Sequence, residues 1–83
     1  MTLELRYFAW LRERVGEASE RVETEAATVA ELVEELKAAD SRYALAFADL
    51  RAVRVAVDQE LADLGAPLAG VREVAFFPPM TGG

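Results

Sequence analysis

The sequence predicts an α+β fold in which one sheet carries one main helix across a face. Three observations predict it. Short segments at the start, middle and end of the chain alternate apolar and polar residues with the period of half-buried strands. One segment beginning at Thr28 has the period of an amphipathic helix. No repeat or linker divides the 83 residues, a length that suits one small domain with one modest core.

In Thr2 to Phe8, Leu3, Leu5 and Tyr7 alternate with Glu4 and Arg6, so the segment reads as a strand. Ala9 to Val15 reads as a short helix, with Leu11 and Val15 spaced for one face and Gly16 placed to end it. Glu20 to Thr24 reads as a strand whose large apolar residue is Val22. At Thr28 the helix signal is stronger. Thr28 and Glu31 form a capping-box pattern, which satisfies free N–H groups in the first turn. Val29, Leu32, Val33 and Leu36 then follow at i, i+3, i+4 and i+7, and Asp40-Ser41 closes the element.

Tyr43 to Leu50 reads as a short helical turn. Ala52 to Val57 reads as a strand with Val53, Val55 and Val57 on one face. Asp58-Gln59-Glu60 is a polar turn, Leu61 begins a very short strand, and Leu64 to Gly70 is loop. Arg72 to Phe77 is the last strand, with Val74 and Phe76 facing opposite to Ala75 and Phe77. Pro78-Pro79 ends it, since proline has no N–H to give to a ladder.

Composition narrows the chemistry. The chain has no Cys and no His. It therefore has no thiolate nucleophile, no imidazole base and no soft metal site. Fifteen acidic against nine basic residues give a net charge of −6, which repels nucleic acid and argues against a nucleic-acid partner. No segment reads as a signal peptide or approaches membrane-span length, so a cytoplasmic protein with no membrane association is expected.

The functional candidate is the end of the chain. Pro78-Pro79-Met80-Thr81-Gly82-Gly83 follows the last strand directly, dividing a domain of residues 1–77 from a tail of residues 78–83. Two prolines favour an extended conformation that carries the chain away from the sheet. The residues beyond them reach roughly 15 Å at ~3.5 Å per residue, and the two glycines have no Cβ. Such an arm can thread a narrow tunnel and bring its carboxylate to a buried active site. A carboxylate is unreactive until activated, and no side chain here activates it. The catalytic groups are therefore expected to belong to partners.

Phe8-Ala9, Arg12-Glu13 and Val15-Gly16, then Val57-Asp58-Gln59, and finally Val74-Ala75-Phe76-Phe77-Pro78-Pro79-Met80-Thr81-Gly82-Gly83 resemble the small subunit of molybdopterin synthase. The likeness runs over nearly the whole chain, and the terminal block is its most specific part. Two positions depart from the family pattern. Asp58 stands where Asn is usual, and Gly70-Val71-Arg72-Glu73 replaces an Asp-Gly-Asp-Glu turn.

The resemblance implies a ubiquitin-like β-grasp fold with a mixed sheet. It implies that a ubiquitin-activating-like adenylating enzyme uses ATP to activate Gly83, and that a sulfur donor system then installs a terminal thiocarboxylate. The chain itself would bind no cofactor. Pro78, Pro79, Met80, Thr81 and Gly82 would insert into the large subunit. There Gly83 would give its sulfur to a pterin precursor, forming the dithiolene of molybdopterin in molybdenum cofactor biosynthesis. Two small subunits would flank a dimer of large subunits in a heterotetramer. Phe77, Leu61, Phe8 and Arg12 are the expected interface residues. Two other readings share the tail. One is a sulfur carrier for thiamine synthesis or tRNA thiolation. The other is a ubiquitin-like modifier that conjugates to lysines.

Overall fold

Residues 1–79 are described by the computed structural model. The first strand, β1 (Thr2–Tyr7), leads into helix α1 (Ala9–Val15), which ends at Gly16 with φ +89°. That left-handed conformation favours glycine, and the Gly16 N–H bonds back to the Arg12 carbonyl. Strand β2 (Ser19–Glu23) returns antiparallel to β1.

The main helix, α2 (Val29–Ala39), starts on the expected capping box. The Thr28 hydroxyl accepts from the Glu31 N–H, and the Glu31 carboxylate accepts from the Thr28 N–H. Two more first-turn donors are met by the loop at residues 64–70. The Val29 N–H bonds to the Ala66 carbonyl and the Ala30 N–H to the Leu64 carbonyl, at 3.1 and 2.8 Å. This loop also sends Leu68 into the core with zero exposure.

Asp40 separates two helices. Its N–H bonds to the Leu36 carbonyl and ends α2, while its carboxylate accepts from the Arg42 N–H and starts α3 (Ser41–Ala46). The second helix thus begins two residues before the expected Tyr43, because Asp40 is an N-cap. A 3₁₀ turn at Leu50–Ala52 follows, capped in the same way by Asp49. It delays strand β3 to Arg54–Val57. A two-residue turn at Asp58-Gln59, with φ +48° and +70°, leads into β4 (Glu60–Ala62). These angles are those of the hairpin turn that matches strand twist. Finally β5 (Glu73–Phe77) runs up the middle of the sheet.

The strand order is β2-β1-β5-β3-β4. β5 is parallel to β1 and antiparallel to β3, so the sheet is mixed. Leu3, Leu5, Tyr7, Val55, Val74 and Phe76 line its inner face against Val29, Leu32, Val33 and Leu36 of α2. Each such buried side chain contributes about 1.5–3 kcal/mol. Phe76 is packed by two rings, Tyr7 stacked at 5.8 Å and Phe47 edge-on at 4.9 Å.

Candidate functional site

The site is built by the parallel pairing of β1 and β5. The register sets Glu4 beside Glu73, Arg6 beside Ala75 and Tyr7 beside Phe76. Because the two strands run in the same direction, they leave the sheet at the same end. The chain after β1 continues into Phe8, and the chain after β5 continues into Pro78. The Phe8 N–H bonds to the Phe76 carbonyl at 3.1 Å, closing this end of the ladder. A tail rooted at Pro78 therefore starts beside Phe8.

Alternation decides what each strand shows to solvent. Val74 and Phe76 enter the core, so Glu73, Ala75 and Phe77 lie on the outer face. On β3 the outer residues are Arg54 and Ala56, which pair with Phe77 and Ala75. On β4 the outer residue is Leu61, paired with Ala56. One cross-strand row thus reads Leu61, Ala56, Ala75, Arg6. Two alanines floor its middle, and the larger Phe8 and Phe77 rise at the tail end. A concave region of about 770 Å³ results, walled by Phe8, Phe77, Pro78 and Pro79 and floored by Ala56 and Ala75.

Leu61 is 80% exposed and Phe8 48% exposed, so neither belongs to the core. Large apolar side chains held in water next to a concave surface mark a docking face. A hinge at Ala9 contributes. Its φ is +53°, a left-handed value that costs a non-glycine residue about 1 kcal/mol or more. The chain turns there from strand to helix, and Phe8 stays outside.

The charges of β1, β2 and β5 on this face are paired. Arg6 Nε lies 3.0 Å from Glu73 Oε1, Arg6 also lies 3.8 Å from Glu4, and Glu4 lies 3.8 Å from Arg21. A line of alternating charge thus crosses the β1 and β2 side. On the β3 and β4 side, Ala56 and Leu61 form an apolar stretch, with Arg54 at its edge beside Phe77.

Arg12 stands apart. It lies on α1 with Trp10 and Glu13, outside the concave region. Met80, Thr81, Gly82 and Gly83 lie outside the described residues. The two-alanine floor and the Arg6–Glu73 pair went unnoticed in the sequence. Their signal was present, since Ala56 and Ala75 occupy outward positions where strands usually carry larger residues, but it needs the strand order to be read.

A second polar cluster lies on the opposite, inner side of the sheet. Glu20 Oε2 accepts from the hydroxyls of Tyr7 and Tyr43, at 2.8 and 2.5 Å, and Arg42 donates to the Tyr43 hydroxyl at 3.0 Å. Burial, followed by the bond to the Glu20 carboxylate, pushes the Tyr7 phenol far above its ordinary range and the Tyr43 phenol up to about 12. Both phenols stay protonated as donors, which is a structural role. Among the described residues, no group of three or more acidic, Cys or His side chains is placed to hold a metal, and no helix is long and apolar enough to cross a membrane. The described residues are equipped to dock and to anchor a tail.

A family model described as the ThiS family matches residues 5–83. The chain is 40% identical over 81 residues to a molybdopterin synthase sulfur carrier subunit from Escherichia coli (strain K12), covering 98% of this chain and 99% of the relative. It is 35% identical, with the same coverage, to a molybdopterin synthase sulfur carrier subunit from Haemophilus influenzae. Its fold is similar to the crystal structure of SAMP1 from Haloferax volcanii, with a TM-score of 0.74, 29% identity and full coverage of both chains.

Proposed function

The chain belongs to the ThiS family of β-grasp proteins, and from that membership we propose that it is the sulfur-carrying small subunit of a molybdopterin synthase. The observation that carries the proposal is the shared exit of β1 and β5, which roots the Gly-Gly tail beside an exposed apolar docking face. The full-length likeness to sulfur carrier subunits of that synthase supports it.

The chemistry follows from what the chain lacks. Gly83 supplies a carboxylate and no side chain supplies a Cys or His. A partner adenylating enzyme joins the carboxylate to AMP and releases pyrophosphate from ATP. Sulfide from the donor system then attacks the acyl carbon, AMP leaves, and a thiocarboxylate remains. The arm, Pro78 to Gly82, enters the large subunit while Phe8, Leu61 and Phe77 dock on its surface. Sulfur passes to the pterin precursor, and Gly83 returns to a carboxylate after hydrolysis. An ATP-using partner supports a cytoplasmic reading. It is one subunit of a sulfurtransferase, and its own contribution is the carried atom.

Intact mass after incubation with an adenylating enzyme, ATP and a sulfur source tests this. Replacement of one oxygen by sulfur is the expected change, and a variant lacking Gly83 should not show it. A mass that never moves would sink the sulfur-carrier reading. Adding the large subunit and the pterin precursor then reads out dithiolene formation. The likeness to SAMP1, small archaeal modifier protein 1, favours one second reading, conjugation to lysines. An isopeptide adduct on a target lysine would reveal it.

A further inference from the structure

We propose that the free edge of β2 is a second docking site, one that takes an extended, basic protein segment as an added strand. It lies at the far side of the sheet from β4 and Leu61.

The register fixes which backbone groups are free. The Thr24 N–H bonds to the Met1 carbonyl, and the Tyr7 N–H bonds to the Ala18 carbonyl. Residues 18, 20, 22 and 24 therefore turn their peptide groups toward β1. The N–H and C=O groups of Ser19, Arg21 and Glu23 point the other way. None of them has a hydrogen-bond partner among the described residues. Three outward donors and three outward acceptors on a strand without proline form a template for strand addition.

The side chains beside this edge make it more than a bare template. A groove runs between β2 and α2, lined by Val22, Leu32, Leu36 and Ala39. Val22 shares the inner face of β2, so a strand added beyond it places alternate side chains over that apolar floor. The groove and its ends carry Glu23, Glu25, Glu35 and Asp40 against Arg42. Of these, Arg42 is engaged with Glu20, Asp40 and Tyr43, Glu35 accepts from the Thr24 hydroxyl, and the N-terminal ammonium lies 3.9 and 3.8 Å from Glu23 and Glu25, so four carboxylates face two cations. The excess of negative charge selects an occupant with Lys or Arg flanking its apolar positions, and repels an acidic one. Charge on an edge strand also guards against self-pairing, since a second copy of this acidic edge is repelled. The site opposes the apolar docking face across the sheet, so both can be filled at once.

A synthetic peptide, Lys-Lys-Val-Ile-Val-Val-Lys, titrated into the full chain and followed by amide NMR, is the test. Expected are shifts in Ser19, Arg21, Glu23 and the α2 residues of the groove, with slowed hydrogen exchange at the outward amides. Ala56, Ala75 and Phe77 should stay unmoved. Arg21→Pro removes one outward donor without touching the β1 ladder, and proline is tolerated at a sheet edge. It should weaken binding about tenfold or more. The double variant Glu23→Lys with Glu25→Lys changes two exposed side chains, 76% and 98% accessible. It should weaken binding similarly while keeping the dispersed spectrum of a folded protein. A peptide with Glu in place of Lys should not bind. Equal binding of the acidic peptide, shifts confined to the Phe77 face, or no shifts at millimolar peptide would each overturn the proposal.

Discussion

Asp58 and Glu73 are joined in both directions. The Asp58 N–H donates to the Glu73 carbonyl at 2.9 Å, and the Asp58 carboxylate accepts from the Glu73 N–H at 2.9 Å. The same carboxylate oxygen takes the Arg72 N–H at 3.0 Å. The β3–β4 turn therefore holds the head of the strand whose other end becomes the tail.

This bracket predicts a contrast between two substitutions. Asp58→Asn keeps a carbonyl acceptor and a residue that tolerates the φ of +48°. It should change stability by less than about 0.5 kcal/mol. Asp58→Ala loses both bonds at a left-handed position and should cost about 1–2 kcal/mol. Urea unfolding of the two variants decides the matter, and equal midpoints would remove the bracket's role.

Ala9 offers a test of stored strain. Its φ of +53° suits glycine. Ala9→Gly should raise stability by up to about 1 kcal/mol, while Ala9→Val should lower it by more than that, because a β-branched side chain clashes there. Thermal melts measure both. A Gly variant that melts well below the parent would show that Ala9 makes contacts worth more than its backbone costs.

Local features of the fold were legible in the sequence, and long-range ones were not. The capping box at Thr28 and Glu31, the Gly16 terminator and the alternation of β5 each depend on residues a few positions apart. The N-caps at Asp40 and Asp49 were missed because both sit in Ala-rich polar stretches whose apolar period is weak. Leu68 was missed because a single large apolar residue between Gly65 and Gly70 has no period at all. The docking face was partly legible, since Leu61 and Phe77 stand at outward positions of their strands and Phe8 directly follows β1. Its alanine floor and the Tyr7–Glu20–Tyr43 cluster were not, because the first joins two strands and the second three elements whose order alternation does not encode.

The exposed face predicts a separation of stability from binding. Leu61 is 80% exposed. Leu61→Ala should therefore leave the melting curve almost unchanged, within about 0.5 kcal/mol, yet weaken association with the large subunit about tenfold or more. Phe77, half-buried beside the tail root, should behave similarly in binding with a modest loss of stability. Calorimetric titration against the large subunit reads the effect. Full affinity in Leu61→Ala would exclude β4 from the interface.

The Tyr43 phenol predicts the alkaline limit of stability. Its pKa is pushed up to about 12 by burial first and then by its bond to Glu20, against an ordinary value of 10.0. A folded-state pKa above the unfolded one contributes stability that is fully present below pH ~10. Above that point the unfolded chain loses the phenolic proton and the folded chain keeps it. Stability should then fall steadily as pH rises from about 10 to about 12, and the protonated Tyr7 phenol adds to the same slope. Tyr43→Phe removes the titrating group, although it also leaves Glu20 with one donor fewer. The variant should be less stable at pH 7 but show a flatter decline above pH 10. Melts across pH 8 to 12, with phenolate absorbance at each step, compare the two proteins. Parallel decline in both would assign the alkaline loss to groups other than Tyr43.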